Sequence, residues 1–338
     1  MFDPPDGRPW LLYALLGCSL ALNVVMVLDR DTPAEPEGAA EGTASAEPTA
    51  DAVADGVADA VVPTAQAAVA EPAGPAPEPL AGDWSVVRGT IDRSLSGMFV
   101  QEAETDGEGL SQVFSRLFVW DMDLRRDLRK GDTIETSWRK NREGIIEIAG
   151  ARFHSQKQGK TIAAYRWKAP GDTYASYWMA DGTEVPHQLQ NPPLKEYEQI
   201  TSLLKDRPTH KGMDFKAPVG TPVITPFAGT VTRANWNWTS NGNCIEVRFQ
   251  NGDIAKFLHL AENKVKEGDT LSAGDVVGLV GNTGHSYAPH LHYQVEVGGK
   301  VVDPVDYHGT VRRRVDGVAL ENLRAEIARH DALLDQQG

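Results

Sequence analysis

Cysteine is almost missing. Cys18 and Cys244 are the only two in 338 residues. One lies in an apolar run and the other in a strand-like segment, so no disulfide framework organises the chain. Positive charge is also scarce, with 33 Lys and Arg against 47 Asp and Glu, a net charge of −14. That balance argues against a nucleic-acid partner. Residues 31–83 contain no Lys or Arg at all but eleven Asp or Glu, which leaves the rest of the chain at only −3. The folded part is therefore near neutral, and the overall acidity says little about a substrate. The same stretch is built from Ala, Pro, Glu, Asp, Gly and Thr. It cannot bury enough apolar area to offset the entropy of ordering, so a disordered, self-repelling linker is predicted. Roughly 50 such residues, at about 5–6 Å × √n, reach about 40 Å.

A long hydrophobic run does occur, once, at residues 9–28. Twenty such residues can cross a bilayer as a helix. Arg8 precedes it and Asp29, Arg30 and Asp31 follow, so flanking charge gives little orientation. A cleaved signal peptide fits less well, because no small-x-small site follows the run. The lipoprotein-like stretch ending at Cys18 fits less well too, because the apolar run continues to Leu28. The expectation is an N-terminal transmembrane anchor in residues 1–30, followed by the linker of 31–83.

Residues 84–195 read as a small α+β domain. Leu110, Val113, Phe114, Leu117 and Phe118 recur at helical spacing, which predicts a helix over 108–129 with an aromatic stripe facing the core. Short strands are expected at 133–138, 145–153, 161–167 and 174–179, with Asp181-Gly182 as a hairpin turn. Near the C-terminus, Arg312, Arg313 and Arg314 form a short basic patch. Leu320, Leu323, Ile327 and Leu334 give a loose apolar face to a terminal helix, best read as docking back on the folded domains.

Residues 196–308 hold an ordered set of histidines. His290 and His292 are two apart in an apolar, β-branched run. Alternate strand residues share a face, so both can enter one cavity. His210 and Asp214 have i, i+4 spacing, but Gly212 and Pro218 oppose a helix and favour a loop entering a strand. Two imidazoles and a carboxylate suit zinc, and three protein ligands leave a fourth position open, as catalytic sites require. Zinc lowers the pKa of water there to roughly 7. If His210, Asp214 and His292 bind the metal, His259 and His290 remain for proton transfer or oxyanion stabilisation. Each short spacing alone is more often filler than ligand; their joint, ordered occurrence favours a metal site. His154, His187, His308 and His330 fit no constellation and read as surface or packing residues.

The stretches HKGMDFKAPVGTPV, FLHL, GDVVGLVGNTGHSYAPHLHYQVEV and DPVDY resemble the M23 family of zinc metallopeptidases, the lysostaphin or LytM-type peptidoglycan endopeptidases. The resemblance runs from about Glu196 to Tyr307 and implies a mainly β fold built on an antiparallel sheet. It carries zinc binding to His210, Asp214 and His292, and catalysis to His259 and His290. Our own assignment makes His290 the general base and His259 the stabiliser, with a shared or exchanged division of the two roles as the alternative. His285 and Tyr287-Ala288 depart from the usual pattern of the Gly-Asn-Thr-Gly loop, and the stretch 202–209 is shorter than usual, which bears on one groove wall. VRGTIDRSL, LFVWDMDLRRDLRKGD and ADGTEVPHQLQNPPLKEY resemble the domain that precedes the peptidase in the murein DD-endopeptidase and OapA-like branch, without a LysM repeat.

The resemblance implies a Zn²⁺-dependent endopeptidase that cuts peptide cross-links of peptidoglycan, with the D-alanyl–diaminopimelate bond as the indicated target. It implies an inner-membrane anchor with the catalytic domain in the periplasm of a bacterial cell envelope, a peptidoglycan substrate and room for a protein regulator. A metal-binding but non-hydrolytic regulator of another wall hydrolase is the alternative. Such members typically lose ligands, and here none is lost. The turns at 218–222 and 266–275 also resemble the hammerhead of lipoyl and biotinyl carriers. No Lys flanked by methionines sits at such a turn, and a carrier needs no ordered histidines.

Overall fold

Apolar and polar residues alternate in many short stretches after residue 84, and strands are what such a pattern forms when one face is buried. The computed structural model describes residues 80–206 and 209–336. The expected anchor at 9–28, the linker up to residue 79 and Cys18 lie outside these residues. No helix among the described residues is long and apolar enough to cross a membrane.

The first sheet has five antiparallel strands in sequence order: β1 (Ser85–Thr90), β2 (Thr133–Lys140), β3 (Ile146–Ser155), β4 (Lys160–Trp167) and β5 (Ser176–Trp178). Helices α1 (Leu95–Ala103), α2 (Gly107–Phe118) and α3 (Leu124–Asp127) fall between β1 and β2. Helix α1 is absent from the expectations above. It starts where Ser94 Oγ accepts the Gly97 amide at 3.0 Å, an N-cap, and it buries Leu95, Met98 and Phe99 at helical spacing. The expected helix over 108–129 is interrupted. Helix α2 ends once its apolar face of Leu110, Phe114, Leu117 and Phe118 is spent. Asp123 then caps α3 by accepting the Arg125 amide, because a short polar side chain serves better as a cap than in a helix interior. Phe99, Phe114, Phe118 and Phe153 pack ring against ring in this core.

The second sheet has ten strands. Its main path runs β13 (Thr270–Leu271), β10 (Gly229–Ala234), β11 (Asn243–Phe249), β12 (Ile254–Asn263), β15 (His290–Val297), β8 (Met213–Lys216), β7 (Gln199–Ser202). Strand β14 (Val276–Val280) pairs with β12 and β9 (Pro222–Ile224), and β16 (Lys300–Val302) with β15. All of these pairs are antiparallel. The described chain is thus mainly β. The register sets two faces. Leu291 lies opposite Phe215, and Tyr293 opposite both Met213 and Phe257. All five are fully buried. The alternate residues, His290 and His292, fall on the other face with Asp214 opposite His292.

Outside the sheets lie α4 (Trp238–Asn241), α5 (Pro304–His308) and α6 (Gly317–Gln336), and a small pair of β6 (Gln188–Leu189) with β17 (Thr310–Val311). Helix α6 docks as expected, with Leu323 and Ile327 packed against Tyr165, Ala169 and Trp178. The arginines before it are not a free basic patch. Arg312 donates to Asp121 at 2.8 Å, and Arg313 pairs with Asp172 at 2.6 Å and Glu184 at 2.7 Å. Cys244 is a buried free thiol.

Candidate metal centre

His210, Asp214 and His292 come together although 78 residues separate the last two. One ligand atom from each lies within 4.8 Å of the others. The register explains Asp214 and His292, which face each other across β8 and β15. His210 arrives from the loop that enters β8, through Gly212. A Cβ at Gly212 would lie 2.3 Å from the Tyr293 carbonyl oxygen and 2.9 Å from His292 Nε2. Only glycine lets this backbone pass so close to the ligand strand.

Asp214 is the hub. Oδ1 lies 2.8 Å from His292 Nδ1, and Oδ2 lies 3.0 Å from His210 Nε2. Burial opposes ionisation of this carboxyl, yet the two imidazoles override it and hold Asp214 well below the usual carboxylate range. His210 Nδ1 donates to the Leu203 carbonyl at 3.1 Å, which fixes the proton on that nitrogen. Nε2 is left buried and without a hydrogen bond of proper geometry despite the nearby carboxylate. A buried nitrogen lone pair in that position costs free energy unless something accepts it. A cation shared with Asp214 and His292 does so, and two imidazoles with one carboxylate match zinc chemistry.

His259 and His290 stand beside this group. Their ring centroids are 4.8 Å apart, and His259 lies 6.1 Å from His292. Both present the same tautomer to the site. His259 Nδ1 donates to the Thr283 carbonyl at 2.9 Å, and His290 Nδ1 to the Ala288 carbonyl at 2.8 Å. Carbonyls only accept, so Nε2 of each is the nitrogen offered inward. His290 Nε2 lies 3.8 Å from Asp214 Oδ1. Burial, then the nearby His290, push His259 down to about 4, so it is neutral near pH 7.

The backbone at His259 is strained, with φ +63°, a region that non-glycine residues seldom adopt. It falls where β12 leaves β15 for β14: the last pair with β15 is Leu258 with His292, and the next pair is Leu260 with Val280. Thr283 holds this kink. Its hydroxyl donates to the Leu260 carbonyl at 2.7 Å and accepts the Asn243 amide at 3.0 Å, while its carbonyl takes His259. The neighbouring Gly284, at φ +72°, has the Gly242 amide nitrogen 2.3 Å from where a Cβ would sit, so the two loops interlock through glycine. Thr283 was not singled out from sequence, although it belongs to the Gly-Asn-Thr-Gly loop that was. Ser286 was missed as well; its Oγ lies 3.1 Å from His290 Nδ1.

Three of the other histidines are packing residues. His308 stacks on Phe227 with centroids 5.5 Å apart, His187 stacks on Trp120 at 5.0 Å, and His330 bonds the Arg166 carbonyl. His154 meets Thr161 at the end of the first sheet.

Comparison with known proteins gives a consistent picture. A family model described as Peptidase family M23 matches residues 208–304. Peptidoglycan DD-endopeptidase ShyC of Vibrio cholerae is 30% identical over 227 residues, 62% of this chain and 50% of that protein. DD-carboxypeptidase/endopeptidase Mpg of Neisseria meningitidis is 38% identical over 96 residues, 28% of this chain and 22% of that protein. A solved zinc-containing peptidase from Vibrio cholerae is 24% identical, covering 67% of this chain and 71% of its own, with a TM-score of 0.32. The chain spans about half the length of the first curated relatives it matches.

Proposed function

The chain carries a domain of peptidase family M23 over residues 208–304, and from that premise we infer that it is a zinc-dependent endopeptidase acting on peptide cross-links of bacterial peptidoglycan. The observation that carries this reading is the convergence of His210 Nε2, Asp214 and His292 Nδ1, with the His210 nitrogen buried beside the carboxylate and without a hydrogen bond of proper geometry. Two matched relatives are named as peptidoglycan DD-endopeptidases, which supports wall peptide as the substrate class; the D-alanyl–diaminopimelate cross-link is the bond we propose.

His210, Asp214 and His292 would hold the metal. A zinc ion held there supplies Lewis acidity to a peptide carbonyl and makes hydroxide available near neutral pH. The protein's own residues do the rest. His259, buried and neutral with Nδ1 tied to Thr283, offers Nε2 as a proton acceptor. His290, nearer the Asp214 carboxylate, donates from Nε2 to the developing oxyanion once it is protonated. Of the two divisions of labour that the sequence left open, this is the exchanged one. Asp214, held ionised, balances positive charge at the site.

The same reading sets an anchor at residues 9–28 in the cytoplasmic membrane and a tether at 31–83. Beyond them lie an accessory unit in 84–195, the peptidase unit in 196–308 and a helical tail in 309–338, all on the periplasmic side. The apolar run and the composition of the tether support that arrangement.

Alanine at His259 or His290 tests the mechanism. Each variant should keep stoichiometric zinc and its fold, yet lose roughly 10²–10⁴-fold in turnover of cross-linked muropeptides. Wild-type turnover in both variants would sink the assignment. A zinc-loaded wild type that cleaves nothing would leave the non-hydrolytic regulator.

A further inference from the structure

The proton on His210 Nδ1 is held by a single acceptor, the Leu203 carbonyl, and that carbonyl belongs to a short, braced turn. Leu203 precedes the 3₁₀ turn Leu204–Asp206. Its oxygen accepts both His210 Nδ1 and the Asp206 amide, each at 3.1 Å. Asp206 Oδ2 in return accepts the Leu203 amide at 2.7 Å. Two arginines from the helices between β1 and β2 then grip Asp206. Arg116 of α2 donates from Nη2 to Asp206 Oδ2 at 2.7 Å, and Arg125 beside it donates to the Asp206 carbonyl at 2.9 Å. They lie 90 and 81 residues away in sequence.

The Arg116–Asp206 pair is not an ordinary surface ion pair. Its side chains are only 20% and 10% exposed, so solvent and salt screen it little. A cavity of about 780 Å³ borders it, lined by Arg116, Arg125, Lys205 and Asp206 among others, and contains none of the four site histidines and not Asp214. The bracing thus approaches the metal ligand from behind, through the accessory unit.

We propose that Arg116 and Arg125 are positioning residues of the metal centre: through Asp206 and the Leu203 carbonyl they hold the His210 imidazole in the tautomer and orientation that bind metal. The inference rests on the metal reading above. His210 binds through Nε2 only while Nδ1 carries the proton, and the partner that fixes this is a backbone oxygen of the turn. Releasing Asp206 lets the turn move and frees the ring to rotate. The coupling is reciprocal, so metal should also tighten the accessory unit's hold on the turn.

A merely adhesive role for the arginines predicts loss of stability without loss of metal affinity. Arg312, which bonds Asp121 and the Val185 carbonyl at 2.8 and 2.9 Å without touching the turn, supplies the control. The experiment measures the zinc Kd of the full-length chain in detergent by competition with a chromophoric chelator, alongside Tm. Arg116→Met should raise the Kd roughly 10–100-fold and Arg116→Lys less, as losses of partners behind a metal ligand do. Arg125→Gln should raise it at least about threefold, because it removes one of the two grips. Arg312→Met should lower Tm and leave the Kd unchanged. A folded Arg116→Met protein with a Kd within about twofold of wild type overturns the proposal, as does an equal rise in Arg312→Met; the cost expected from the principle is far larger. Should Arg116→Met fail to fold, unchanged affinity in both Arg116→Lys and Arg125→Gln overturns it equally. A wild type that binds no zinc refutes the metal reading instead.

Discussion

Acid should unfold this protein partly through His308, a residue outside the metal centre but packed behind its ligand strand. His308 Nε2 meets the Tyr293 hydroxyl at 2.9 Å, its ring stacks on Phe227, and its Nδ1 is buried with no hydrogen-bond partner. Burial pushes its pKa down from the ordinary 6.5 to about 4. Between those values the unfolded chain binds a proton that the folded chain refuses. Stability therefore rises with pH in this window and is lost as pH falls from 6.5 toward 4. At about 1.4 kcal/mol for each pH unit separating the two values, the loss on full acidification is about 3 kcal/mol. Above pH 6.5 both states are neutral at this site and it contributes no pH dependence. His308→Gln removes the titration. Urea unfolding of the wild type and the variant at pH 7, 6, 5 and 4 isolates the effect, because every other group titrates in both proteins. The wild type should lose about 3 kcal/mol more than the variant between pH 7 and pH 4. A difference under about 1 kcal/mol would mean that His308 is protonated in the fold at little cost, contrary to its burial.

Other outcomes follow from the same packing. Gly212→Ala places a methyl 2.3 Å from the Tyr293 carbonyl; it should cost roughly 1–3 kcal/mol by thermal unfolding and lower zinc content. Leu323→Ala on α6 removes a fully buried side chain and should cost roughly 2–5 kcal/mol by denaturant titration; a neutral result would mean the terminal helix is not docked in solution. Replacing residues 31–83 with a Gly/Ser segment of equal length should leave activity in cells intact, as judged by complementation at matched protein level. Loss of function would point to a binding motif inside the tether.

What could be read from the sequence follows from what period-two and period-3.6 patterns encode. The alternation of His290, His292 and Gln294 with Leu291, Tyr293 and Val295 fixes a two-faced strand, and the structure has that strand with both imidazoles on one face. The meeting of Asp214 with His292 depends on strand order, which spacing does not give. The φ of +63° at His259 is invisible in composition, because it arises where β12 changes partners. Helix α1 was legible in Ser94 and the spacing of Leu95, Met98 and Phe99, and was passed over. The continuous helix expected over 108–129 ignored Asp123, a better cap than helix interior. Arg312 and Arg313 looked like a patch because their acidic partners lie more than a hundred residues away. The bracing of His210 by Arg116 and Arg125 is hidden for the same reason: a hydrogen-bond relay between distant segments has no local signature.

The most direct test of the central claim is metal-dependent cleavage by the full-length protein in detergent. Purified cross-linked muropeptide dimers would be incubated with enzyme as isolated, after exhaustive chelation, and after return of one equivalent of zinc, with products separated by chromatography and weighed by mass spectrometry. Dimers should become monomers with the native protein, persist after chelation, be cleaved again on zinc return, and persist throughout with His210→Ala. Cleavage at an equal rate in the chelated protein, or intact dimers beside a protein that holds stoichiometric zinc, would contradict it.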